Sequence, residues 1–154
     1  LFSRIAYELQ ERGYEFQFFT NGLPADIVLG QKILRKLKLP KQYLVTRPVS
    51  DGPLVDTINS YRGIITCRMH SSIAAFTMGV PSVILSWNDK VEKLMEIIGY
   101  PERAIKRDQF DAKYIVDKLE QSLSEGIATE KLEAMKDKAV ESVTDYLHLI
   151  TANK

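Results

Sequence analysis

Arg68 and His70 stand two residues apart in the run TCRMHSSIAAF, where an apolar segment gives way to one of small residues. A guanidinium holds a phosphate or carboxylate through paired hydrogen bonds, and an imidazole gives or takes a proton near neutral pH. If residues 63–67 form a strand, Arg68 and His70 leave it at positions i and i+2, and extended backbone aims both the same way. Ser71 and Ser72 would then open a helix whose first N–H groups lack intrahelical partners and whose dipole favours an anion. Arg47 follows a second strand-like run and Lys90 a third, so three of the first four predicted strand ends carry a cation; Asn21-Gly22 marks the other. The chemistry these residues suit is anion binding with an acid/base group alongside. A structural reading stands beside it, in which Arg68 pairs with a surface carboxylate, His70 caps a helix, and Arg47 and Lys90 are solvated. Cys67 reads as a small core residue, and His148 as a surface or capping residue.

The elements that must position these groups follow from hydrophobic spacing. Phe2, Ile5, Ala6 and Leu9 recur at helical period, with Gly13 as the stop. Residues 14–20, YEFQFFT, read as a strand ended by Asn21-Gly22, and residues 24–37 as a helix with proline in its first turn. Residues 43–46 form a short strand. Asp51-Gly52-Pro53 reads as a turn before a helix through Val55, Ile58 and Tyr61. A strand at 63–67, a helix at 71–78 and a strand at 81–86 follow. Asp89 would cap a helix running to Gly99, Ala104 and Ile105 a last strand, and Asp111 a helix over 112–123. From about Thr129, Leu132, Met135, Ala139, Val143, Tyr146, Leu147 and Ile150 form one apolar stripe. Strand and helix alternate four times, the pattern of a Rossmann-like parallel sheet with helices on both faces. In such a sheet ligands bind beyond the carboxyl ends of the strands.

The composition narrows the class. With 154 residues, 45% hydrophobic and 27% charged, the sequence reads as one α/β domain over residues 1–154, large enough for a core without disulfide or metal. A formal charge of +1 argues against nucleic-acid binding by bulk electrostatics. A single cysteine and two distant histidines exclude an internal disulfide and leave no transition-metal site, and they suit a reducing compartment. No apolar run approaches the roughly 20 residues that span a bilayer. Lys32, Arg35, Lys36, Lys38 and Lys41 form a basic run that is either a solvated helix face or a peripheral contact with an acidic membrane surface. Glycine spacing fits neither a dinucleotide fingerprint nor a Walker loop. The opening on Leu1-Phe2-Ser3, already inside a helical pattern, is read as part of a longer chain.

The stretch TCRMHSSIAAFTMGVPSVILSWNDK resembles the C-terminal motif of the polysaccharide pyruvyl transferases: a strand into Arg-x-His, a helix of small residues, Gly-x-Pro, an aliphatic strand and then a lysine. Here these are Arg68-Met69-His70, Ile73-Ala74-Ala75, Gly79-Val80-Pro81, Val83-Ile84-Leu85 and Lys90. Met69 stands where leucine is more usual, and Trp87-Asn88 replaces a commoner tyrosine-containing stretch. The resemblance implies the C-terminal half of a two-domain, glycosyltransferase-B-like enzyme, here lacking the half's first strand. It implies a bacterial, cytoplasmic transferase, at most peripheral at the inner face of the membrane, acting in exopolysaccharide or cell-wall polysaccharide biosynthesis. The donor would be phosphoenolpyruvate with no further cofactor, and the partners a missing N-terminal domain and a saccharide acceptor, free or lipid-linked. His70 would be the general acid, Arg68 the anion grip, Ser71 and Ser72 the helix-start donors, and Lys90 and Arg47 electrostatic partners. The piece alone is expected to be inactive. Two other readings stay open: a nucleotide-sugar-dependent glycosyltransferase or epimerase domain, and a non-catalytic assembly module.

Overall fold

The computed structural model describes residues 1–20, 24–45 and 51–152. Helix and strand alternate along the chain: α1 (Phe2–Glu11), β1 (Phe18–Phe19), α2 (Pro24–Leu37), β2 (Leu44–Val45), α3 (Asp51–Asn59), β3 (Ile64–Thr66), α4 (Met69–Thr77), β4 (Ser82–Leu85), α5 (Asp89–Ile97), β5 (Ala104–Ile105), α6 (Ala112–Glu125) and α7 (Thr129–Ala152). Every strand pairing is parallel, as the alternation requires. The chain is thus α/β and Rossmann-like.

The strands form two sheets. β1 pairs with β2, and β3, β4 and β5 lie side by side in that order. Among the described residues no ladder joins β1 to β3. Between them opens a cleft of about 1030 Å³, walled by β1 on one side and β3 on the other, with α1, α2 and α6 contributing Ile5, Gly30, Ile33 and Leu123.

β4 shows why the sheet is covered on both faces. All four of its residues are buried, and alternate side chains leave opposite faces of a strand. Val83 and Leu85 join Ile5 of α1 and Ile115, Val116 and Leu119 of α6 in one core. Ile84 joins Phe76 of α4 and Val91 and Met95 of α5 in another. A third cluster, Ile58, Ile64, Ala75 and Val80, packs α3 against α4 and β3. α1 is further clasped to α6 by Arg12, whose guanidinium reaches Glu8 (2.7 Å), Asp117 (2.7 Å) and Glu120 (2.6 Å). Gly13 follows α1 at φ +76°, the left-handed conformation that a helix stop of this kind favours, and the Tyr14 N–H closes back on the Leu9 carbonyl.

Several boundaries differ from the sequence reading. Among the described residues only Phe18 and Phe19 of the 14–20 run enter a ladder, opposite Leu44 and Val45. Asp51 and Gly52 begin α3 rather than a turn, with Pro53 in its first turn, where a missing N–H costs nothing. Asn88, not Asp89, caps α5, its side-chain oxygen accepting from the Val91 N–H. Asp111 caps α6 as expected, accepting from Tyr114. The predicted stripe of α7 is partly buried only at its start: Leu132 and Met135 pack on the α5 cluster, while Ala139, Val143, Tyr146, Leu147 and Ile150 are exposed. A helix of 24 residues is roughly 36 Å long, so its second half runs past the body it docks on.

Candidate functional site

The carboxyl ends of β3 and β4, adjacent and parallel, carry most of the predicted site. At β3 the backbone turns sharply. The Arg68 N–H donates to Oγ1 of Thr66 (2.9 Å), and Arg68, extended at φ −109° and ψ 117°, becomes the N-cap of α4. Its carbonyl accepts from the N–H groups of both Ser71 (3.1 Å) and Ser72 (3.2 Å). The helix therefore begins at Met69, two residues before the predicted start, which changes the expected geometry. His70 sits in the first helical turn rather than on extended backbone, so strand alternation does not set its direction relative to Arg68. The N–H groups that lack an acceptor among the described residues are those of Met69 and His70, not those of the two serines.

Arg68 has a partner that the sequence did not disclose. Its Nη2 donates to both carboxylate oxygens of Asp26 in the first turn of α2, at 2.6 and 2.8 Å. That hydrogen bond raises the guanidinium's already high pKa, so Arg68 stays charged at any working pH. Because Nη2 alone engages Asp26, Nε and Nη1 have no acceptor among the described residues, and the side chain is 41% exposed. The structural alternative, a carboxylate partner, is thus met at Nη2, while the other two guanidinium nitrogens have no acceptor among the described residues.

His70 is exposed and its imidazole has no hydrogen-bonding or ionic partner among the described residues. Ser71 is buried on the cleft wall. Ser72 is fully buried, its Oγ 3.1 Å from Oγ of Ser82 in β4 and 3.7 Å from Sδ of Met95. Its hydroxyl belongs to the seam between α4 and β4. Lys90 is exposed in the first turn of α5, at the next strand end. Arg47 and Asn21-Gly22 lie outside the described residues. Cys67 is half-buried, and burial pushes its thiol pKa up, which makes it a poor nucleophile. Lys32, Arg35, Lys36, Lys38 and Lys41 are all exposed, the first three on α2 and the last two beyond its end.

The β4 end adds a residue that the sequence placed at the junction without a role. Trp87 reaches back across the sheet, and its Nε1–H donates to the Cys67 carbonyl (3.1 Å), one residue before Arg68. Asp26 carried no sequence signal, being one acidic residue in a helix far away in the chain. Trp87 could have been flagged by its type, an isolated aromatic at a strand end.

The described residues hold no cluster of three or more metal-ligating side chains, and no helix is long and apolar enough to cross a membrane. Comparison with known proteins adds one match: a family model described as polysaccharide pyruvyl transferase fits residues 6–89, more than half of the chain and inclusive of Asp26, Arg68, His70 and Trp87. No curated protein and no solved structure matches.

Proposed function

Because the chain belongs to the polysaccharide pyruvyl transferase family, we propose that it is the C-terminal half of a two-domain enzyme that moves the pyruvyl group of phosphoenolpyruvate onto two hydroxyls of a sugar. The observation that carries this reading is the β3 end: a charged guanidinium with two nitrogens, and a helix start with two N–H groups, that have no acceptor among the described residues, together with an exposed imidazole. An anion seated there meets Arg68 and the N–H groups of Met69 and His70.

The reaction needs an acid. His70 as imidazolium protonates the methylene carbon of the enol phosphate, leaving positive charge on the carbon that bears the phosphate ester. One sugar hydroxyl adds to that carbon and releases its proton. The bond to the phosphate oxygen then breaks, phosphate departs, and the second hydroxyl closes the ketal with loss of its proton. Arg68 stabilises the leaving phosphate as its charge grows. Lys90, at the neighbouring strand end, adds positive potential, and Arg47 is assigned the same role. Ser71 serves through the wall it builds, and Ser72 through the packing of α4. No metal or cofactor enters this scheme. On the same reading the protein works in the cytoplasm, and a further α/β half and the saccharide acceptor complete the site.

The test is His70→Ala in the complete enzyme. Loss of a general acid costs about 10²- to 10⁴-fold in kcat, while phosphoenolpyruvate binding by calorimetry should stay within about twofold. Near-normal turnover would reject the assignment. Binding of a UDP-sugar in place of phosphoenolpyruvate would move the site to the nucleotide-sugar class.

A further inference from the structure

Trp87 is the one tryptophan of the chain and exposes 65% of its surface. Isolated surface hydrophobics are ordinary and need no function. Trp87 differs in being held. Its indole N–H is taken by the Cys67 carbonyl, so the ring bridges the ends of β3 and β4 immediately before Arg68. With the one polar atom of the ring occupied at the β3 end, what it offers to solvent is carbon surface.

The loop beneath it is fixed too. The Ser86 hydroxyl lies 3.0 Å from Oε1 of Glu92 and 3.2 Å from the Asn88 carbonyl. Glu92 is tied in turn to Lys106 at 3.2 Å, and Asn88 caps α5. The indole therefore stands on a braced turn, so a ligand that stacks on it meets a small ordering cost. The rest of this edge is polar: Arg68 is charged and partly exposed, and His70, Asp89 and Lys90 are exposed. A lone aromatic ring among such neighbours is too small and too polar-rimmed for the apolar core of a protein interface. It matches a ligand with one apolar face and a rim of hydroxyls, which describes a pyranose.

We propose that Trp87 is the stacking platform for a pyranose ring of the acceptor, its C–H face on the indole and its hydroxyls turned toward His70 and the anion grip. This rests on the pyruvyl-transfer reading of the site. The contact works by dispersion and by the attraction of polarised C–H groups to the negative face of the ring. Trp87 is thus assigned to acceptor binding, and no proton is routed through it.

Since Trp87 is the only tryptophan, its emission reports this position alone in the 154-residue chain. Titration with a simple methyl pyranoside, methyl β-glucopyranoside, as a generic ring probe should give a saturable change in emission. Sorbitol, which has the hydroxyls without the ring, and uridine should give none. In the complete enzyme, Trp87→Ala should raise the acceptor KM about tenfold, the equivalent of about 1.4 kcal/mol, with the donor KM unchanged. Trp87→Phe keeps a ring but loses the bond to Cys67 and should fall between Trp87→Ala and the parent. A response to uridine, or an unchanged acceptor KM in a folded Trp87→Ala, would overturn the platform. If His70→Ala is dead while Trp87→Ala is normal, the platform alone fails. If His70→Ala turns over normally, the reaction reading fails whatever Trp87 does.

Discussion

The Arg68–Asp26 pair makes a prediction with two opposite signs. Asp26→Asn keeps the shape of the side chain but removes the negative charge that sits 2.6 Å from Nη2. Both side chains are partly exposed, at 41% and 24%, so the pair should contribute no more than about 0.5–1 kcal/mol to folding. For a chain of this length that is roughly 1–3 °C in Tm. Anion binding should move the other way. A phosphate on the open side of the guanidinium lies roughly 7 Å from Asp26, the width of the group plus a hydrogen bond on each side. Two unit charges at that separation repel by about 0.6 kcal/mol in water and about 2.4 kcal/mol at an effective dielectric of 20. For a half-exposed site a value of about 1 kcal/mol is the reasonable middle, or about fivefold in affinity. Thermal melts with increasing inorganic phosphate, against sodium chloride at matched ionic strength, read both effects at once. Asp26→Asn should melt below the parent without phosphate and gain more from phosphate than the parent does. Arg68→Met should gain nothing. A variant that melts lower and also loses its response to phosphate would show that Asp26 positions Arg68 for the anion rather than competing with it, and the argument would fall.

Ser72 and Ser82 offer a test of core against site. Ser72→Ala strands the buried Ser82 hydroxyl and should cost about 1–3 kcal/mol, Ser82→Ala leaves Ser72 the weak acceptor Sδ of Met95 and should cost less, and the double change should recover most of the larger loss; chemical denaturation of the four proteins measures it, and an unchanged Ser72→Ala would contradict the buried seam. Stability should also fall in acid. Lys113 and Arg12 hold Asp117 below the usual carboxylate range, Lys106 and Ser86 do the same for Glu92, and Gln121 and Arg103 for Glu125. A depressed folded pKa means the unfolded chain takes up protons first, so this stabilisation is complete above the ordinary carboxylate range and is lost as pH falls below about 4. Tm measured across pH should show that loss, and Asp117→Asn should flatten it.

Much of the scaffold was legible because its signals are local. The Ile5–Ala6 face of α1, the Gly13 stop, the Asp111 cap and the buried run of β4 each depend on residues within a turn or two of one another. The parallel pairing followed from alternation alone. What failed was set by atoms distant in sequence or by a choice between equals. Asn88 and Asp89 are both good caps, and only backbone geometry selects one. Thr66 takes the Arg68 N–H and starts α4 early, a choice no spacing rule contains. Asp26 lies 42 residues from Arg68, and no periodicity links them. The α7 stripe was correctly apolar, but its period carries no information on where the body ends.

The cleft and the candidate site share one wall. β1 and β3 each present an unpaired parallel edge to the cleft among the described residues, and such edges call for a partner. The ladders run β2–β1 on one side and β3–β4–β5 on the other. One parallel strand between β1 and β3 would complete the doubly wound order, in which the first strand is central and two halves diverge from it. On the two-domain reading proposed above, that strand would lead into α1, and its carboxyl end would emerge beside the Arg68–Asp26 pair, whose two residues line the cleft. Whatever residue ended it would then face the same anion, so closing the sheet and completing the donor site become a single structural event. The Arg68–Asp26 pair would serve both, joining α2 to the end of β3 across the divide while leaving two guanidinium nitrogens for the ligand.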